Sequence, residues 1–282
     1  MKKKNITEQK WFSPLLWIFF LIFAWEMGAI AVENIKHTPE NILPHLYQII
    51  QAAFSSKPVS QGMSAVGVVL ISARATILRA ILGFLIGAVA GFVLALLMKL
   101  SNVVEKTFFP YLMLIQLIPV LGLAPIVLSI TGDINKSRIV IAAILSFYPI
   151  ATNTLAGFKS VAKEKYELMY IYAAPKRDLY TKVLIPASIP YFFTGTKIAA
   201  PMAITASILV DTLQGDGGLG CMLSQSLKHA MSIYVFWLIV FFAAFIGILS
   251  GKLMGWIEAL VSPGRQKPSR NQKKVPVKEG VS

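Results

Sequence analysis

The sequence predicts an all-α, polytopic membrane protein with about six transmembrane helices. Three observations carry this. Of the 282 residues, 56% are hydrophobic and only 14% are charged, about half the charged share of a soluble domain. Mean hydropathy is +0.66. The apolar residues gather into six stretches close to the ~20 residues that a membrane helix needs. So few charges cannot cover a soluble surface, and the composition excludes intrinsic disorder and argues against an ordinary soluble enzyme.

Residues 1–11 form a short basic N-terminus, residues 12–261 the membrane domain, and residues 262–282 a basic, polar tail expected to be disordered. The expected spans are Phe12–Val32, Ala80–Met98, Phe108–Ile130, Ile139–Phe158, Tyr191–Val210 and Tyr234–Leu260. None alternates in the manner of a barrel strand, so each reads as a helix. The first also reads as a cleavable leader ending at Ala29-Ile30-Ala31, although its apolar run exceeds a leader's usual core. Between the first two spans, His45–Phe54 has helical apolar spacing and is expected on the outer membrane surface.

Charge sets the expected orientation. With the N-terminus in the cytoplasm, eighteen of the 27 basic residues fall in inner segments, as the positive-inside rule requires. Both termini are then cytoplasmic. The basic balance therefore reports topology, and no nucleic-acid partner is expected. A single cysteine, Cys221, excludes an intramolecular disulfide and any CxxC site, and His37, His45 and His229 show no metal-ligand spacing.

Five prolines lie within spans: Pro110, Pro119, Pro125, Pro149 and Pro201. Each removes a helix hydrogen bond. Such breaks survive where a neighbour or a water-lined cavity satisfies the freed carbonyls, so they suggest a pathway, although proline is also common in membrane helices. Pro119, Pro125 and Pro149, with Asp211, Gly218 and Gly220, are the candidate pathway or gating residues. Arg74 and Arg79 are candidates for attracting an anion, or for contacting lipid headgroups.

The long inner loop of residues 159–190 interleaves apolar and charged residues at helical spacing. It predicts an amphipathic helix-turn-helix closed by Pro186 and Pro190. Two uses fit: a knob offered to a partner protein, or a helix resting on membrane lipid.

That loop resembles the "EAA" loop of ABC importer permeases. Glu167 falls on its Glu, Ala173 on its Gly and Ile185-Pro186 on its closing apolar-Pro pair, while Leu168-Met169 replaces Ala-Ala. The wider likeness, over residues 66–260, is to the nitrate, sulfonate and taurine branch. Trp25-Glu26, the run Thr76–Met98, Pro119 with Ala124-Pro125, Phe147–Val161, and Val210-Asp211 followed by Gly218-Leu219-Gly220 all resemble its patterns.

The resemblance implies an importer-permease fold and a membrane subunit that couples a substrate pathway to ABC ATPase subunits. It implies a substrate-binding protein outside, a second permease copy as a homodimer, and a bacterial inner membrane. The residues implied to couple to the ATPase are Glu167, Ala173, Ala174, Lys176, Arg177 and Pro186. No cofactor is expected in this chain, because ATP is bound by the partner subunit. GDGGLG (Gly215–Gly220) follows a span rather than a strand and is not expected to hold a nucleotide. The substrate is expected to be nitrate, a sulfonate, taurine or a vitamin-precursor heterocycle. An ATP-independent carrier or channel is the alternative.

Overall fold

The computed structural model describes residues 12–35, 42–55, 62–214, 217–229 and 233–262. Its regular elements are helices, in the order α1 (Phe12–Ile35), α2 (Leu46–Phe54), α3 (Ala65–Leu100), α4 (Asn102–Ile115), α5 (Val120–Thr131), α6 (Ile134–Lys159), α7 (Lys163–Ile171), α8 (Lys176–Asp178), α9 (Ile185–Gln214), α10 (Leu219–His229) and α11 (Ile233–Val261). A π-helical turn, Leu179–Leu184, joins α8 to α9 without interruption. Five helical segments are long and apolar enough to cross a membrane: those of α1, α3, α6, α8–α9 and α11.

The expected third span is two helices. α4 and α5 meet at 109° and together make a sixth crossing only if counted as one broken span. The cause is local. Pro119 offers no N–H and sits in extended conformation with ψ 123, and a proline disfavours helical geometry at the residue before it, Ile118. Leu117 and Ile118 close α4 with tight bonds to Leu114 and Ile115, and the Pro119 carbonyl starts α5 by accepting from Gly122.

α6 is the central helix, flanked by α3 and α9. Gly83, Gly87 and Gly91 lie four apart on one face of α3 and bring its backbone against α6. A Cβ at Gly83 would stand 2.5 Å from the Ala142 Cβ, and one at Gly87 2.5 Å from the Ala143 carbonyl oxygen. Gly157 and Gly195 do the same between α6 and α9, against Ser188 and the Pro149 carbonyl. Lipid is as apolar as a leucine side chain, so such small-residue contact, not hydrophobic burial, drives helix association in a membrane. Pro149 is thus a packing position, buried against Gly195.

Two expectations need correction. Pro186 and Pro190 do not close the inner loop; both lie in the first turns of α9. The wide π turn before Pro186 makes room for its ring, whereas Pro190, inside α9, gives up one bond of the helical ladder. The stretch after Gly218 was not expected to be helical, yet α10 follows it. Gly215, Asp216, His37, residues 1–11 and residues 263–282 lie outside the described residues.

α1 joins the bundle at one end only. There Trp25 Nε1 donates to the Pro44 carbonyl at 3.1 Å, and its ring meets Trp237 of α11 edge-on at 4.6 Å. His45, just before α2, places Nδ1 2.6 Å from Glu26 Oε2 and Nε2 3.6 Å from Glu33. The Leu46 N–H donates to Glu26 Oε1 at 3.0 Å.

The hydrogen bond to Glu26 raises the His45 pKa above its ordinary 6.5. A raised histidine contributes stability that is full below its unfolded pKa and is lost as pH rises through the folded value. Protection of α2 amides, taken relative to the intrinsic base-catalysed rate, is therefore expected to be full below the ordinary histidine pKa and to fall on alkalinisation through the raised value. His45→Gln is expected to abolish that extra dependence.

Candidate functional site

At the end of the bundle that carries α10, a charged cluster is centred on two fully buried groups. Asp211, near the end of α9, and Arg138, in the second turn of α6, are both fully buried. Arg138 Nε lies 2.8 Å from Asp211 Oδ1, and Arg79 Nη1 of α3 approaches the same oxygen at 3.3 Å. Thr76 Oγ1 donates to Asp211 Oδ2 at 2.7 Å and accepts from the Leu219 N–H at 2.9 Å. The Gly220 N–H also serves the carboxylate. Arg138 Nη2 reaches the Gly217 carbonyl at 3.4 Å. Ser207 Oγ donates to the Thr76 carbonyl.

Every group here has a role in satisfying the others. A buried carboxylate is costly unless paired and hydrogen-bonded, and this one receives two guanidinium contacts, a hydroxyl and a backbone amide from three neighbouring helices, α3, α6 and α10. Gly218 allows the approach. Its φ is +99, and a Cβ there would fall on the Asp211 carboxylate. Gly220 packs equally close to the Ile208 carbonyl.

The structure thus brings together Asp211, Gly218 and Gly220. Pro119 lies at the α4–α5 break, Pro125 within α5 and Pro149 in the α6–α9 contact, all apart from the cluster. Arg79, read from sequence as free to attract an anion, is held by Asp211. Arg138 was not among the residues singled out from the sequence. Its signal was position: an arginine at the edge of an apolar span needs a counter-charge, and Asp211 sits at the edge of another.

The opposite end carries α7. This short helix ends in a two-bond cap, with the Ala174 N–H donating to Met169 at 3.0 Å and the Ala173 N–H to Tyr170 at 2.9 Å. Such a cap needs a left-handed residue, ordinarily glycine. Here Ala173 takes it, at φ +47. Beyond the cap α8 leads back into α9, so α7 and its turn form a projecting knob. Tyr170, Ile171 and Tyr172 at the tip are 87%, 76% and 75% exposed. Glu167, Lys176 and Arg177 are exposed and Ala174 half-buried. Glu167 lies 3.6 Å from Lys163, and Asp178 pairs with Lys182 at 2.7 Å.

The base of the knob is anchored. Tyr166, Leu179 and Tyr180 pack onto a buried cluster that includes Met98, Leu155, Phe158 and Leu184. Lys99 Nζ stands 5.4 Å over the Tyr166 ring. Lys159 pairs with Glu105, tying α6 to the start of α4. The cluster that receives the base of the knob draws on α3, α4, α6 and the start of α9.

Residues 83–267 match the family of binding-protein-dependent transport system inner membrane components. The chain is 29% identical to the formylaminopyrimidine transport permease ThiX of Halalkalibacterium halodurans, over 90% of this chain and 96% of that protein. It is 26% identical to the nitrate import permease NrtB of Synechococcus elongatus, over 86% and 87%. Among solved structures it superposes on a chain of the inward-facing MetNI methionine ABC transporter with a TM-score of 0.62, at 17% identity, over 70% and 97% of the two chains.

Asp211→Asn is expected to lower stability by about 3–5 kcal/mol, because Arg138 is left buried beside a neutral group. Arg138→Met is expected to cost as much, the Asp211→Asn/Arg138→Met pair less than the two summed, and Arg79→Ala, which is partly exposed, about 1 kcal/mol. Thermal unfolding in detergent reads all four. Ala173→Gly is expected to stabilise the knob by about 1 kcal/mol by removing the left-handed penalty, and Ala173→Val to weaken it. Local hydrogen exchange over α7 measures both.

Proposed function

The chain belongs to the family of binding-protein-dependent transport system inner membrane components, and from that premise we propose how this ABC importer permease subunit works. It forms the substrate pathway with a second copy of itself and takes substrate from an extracytoplasmic binding protein. It sits in a bacterial inner membrane with both termini in the cytoplasm, the basic residues 262–282 among them. The knob built on α7 docks on a separate ATPase subunit. ATP is bound there and not by this chain.

One observation carries the coupling role: three large apolar or aromatic side chains at the knob's tip are almost fully exposed, while its base is packed into the bundle. A polar loop with no partner would not keep Tyr170, Ile171 and Tyr172 in water. Glu167 flanks this tip and Lys176 and Arg177 rim it, giving a charged border around an apolar contact, the usual anatomy of a protein interface. Ala173 and Ala174 shape the turn, and Pro186 starts the helix that carries the motion inward. ATP-driven closure of the ATPases moves the knob and, through Tyr166, Leu179 and Tyr180, the helices above it.

The substrate belongs to the range set by the branch: nitrate, a sulfonate, taurine or a vitamin-precursor heterocycle. Expressed with its native neighbours, the chain is expected to co-purify with an ATPase subunit. Glu167→Arg places a cation where the knob offers an anion and is expected to reduce recovery of that ATPase about tenfold, as an interface charge reversal of about 1.4 kcal/mol would. An unaltered yield of ATPase with this variant, or none with the native chain, sinks the coupling assignment and returns the carrier reading.

A further inference from the structure

The α9–α11 seam is closed unequally along its length. The buried positions of α11 (Val235, Ile239 and Ile246) all lie in its first half. In the second half α11 turns Gly251 and Gly255 towards α9, and the contact there is loose. A Cβ at Gly251 would stand 3.5 Å from the Lys197 carbonyl oxygen and 3.8 Å from Pro201 Cγ, and one at Gly255 3.5 Å from Lys197 Cε. At Gly83 and Gly87, in the α3–α6 contact, the nearest such distance is 2.5 Å. Pro201 has no N–H to offer the Lys197 carbonyl, so the helical ladder of α9 lacks one bond at the same level.

One ion pair spans this loose stretch. Lys197 Nζ meets Glu258 Oε2, in the last turn of α11. The two side chains are 39% and 24% exposed, whereas Asp211 and Arg138 are fully buried. A partly exposed pair at a helix end parts at little cost; a fully buried one does not. The knob makes this difference matter. Leu184 and Ile185, where α9 begins, belong to the cluster that anchors the knob, and α11 contributes no described residue to it. A force on the knob therefore reaches α9 directly and reaches the second half of α11 across this seam.

We infer that the Lys197–Glu258 pair is a releasable strap, closed in this structure, that holds the second half of α11 to α9 and opens when the knob moves. The inference rests on the importer-permease reading and adds to it the place where the bundle parts: the α9–α11 seam near the knob, and not the Asp211 cluster. The glycine face makes release clean, because no interdigitated side chains have to be withdrawn. The Lys197 carbonyl, short of its helical donor, gains water as the seam opens. Attraction between the ammonium and the carboxylate then draws the seam shut.

The test uses cysteine chemistry. A Cβ at Gly251 meets its neighbours at ordinary contact distance, and Cys221, the chain's one cysteine, is buried, so the background is low. The Gly251→Cys variant is purified as the full permease–ATPase complex in lipid nanodiscs. It is treated with a membrane-impermeant maleimide, without nucleotide and after trapping with ATP and vanadate. Labelling is expected to be slow without nucleotide and about fivefold faster in the trapped complex. Adding Glu258→Gln is expected to give the faster rate without nucleotide, and the exchanged pair Lys197→Glu/Glu258→Lys to restore the slow one. Equal rates in the two nucleotide states, or no labelling in either, overturn the release. An unchanged rate in Glu258→Gln, or an exchanged pair that stays fast, overturns the role of the charges. A chain that brings down no ATPase overturns the importer reading instead, and the strap with it.

Discussion

The carboxylate of Asp211 holds α3, α6, α9 and α10 at a common point, and the geometry of that end of the bundle follows from its needs. A charge buried among apolar helices must be met on each lone pair. Arg138 comes from α6, Arg79 and Thr76 from α3, and an amide from α10. Gly218 must be glycine because its backbone runs over that same carboxylate. The arrangement fixes where the three central helices end relative to one another.

From that fixed end the helices run together with almost no separation. Gly83, Gly87 and Gly91 let α3 lie on α6, and Gly157 and Gly195 let α9 do so from the other side. Helices in backbone contact slide or tilt as a unit more readily than they separate. The knob enters at the far end through Tyr166, Leu179 and Tyr180, so force applied there acts on the whole packed set. α1, by contrast, touches the rest through its Trp25–Glu26 end and leaves residues 15–23 exposed.

The spans were legible because apolar length is a local property, read without knowing what packs where. So was α2, from its spacing. The break near Pro119 was not, since proline in a membrane helix can kink or break it and the neighbours decide which. α10 escaped notice because eleven residues carrying Ser, Gln, Lys and His after a glycine-rich stretch have no span-like signal. Of the candidate site, the residues at the α10 end were named but not their union: an ion pair between helices distant in sequence has no local trace. At the knob, the replacement of glycine by Ala173 pointed to the turn, and the strain at φ +47 is the physical content of that departure.

The π-helical turn Leu179–Leu184 has a consequence for phase. A π turn holds one residue more than an α turn between bonded groups, and each residue of a helix turns the chain by about 100°. The direction in which the knob faces is thus set by a one-residue surplus placed between it and the membrane. Were that surplus absorbed into regular α-helix, the same side chains would point about 100° away. Bearing is therefore set by a single residue at the junction, and a change there would also unseat Tyr166, Leu179 and Tyr180 from the bundle.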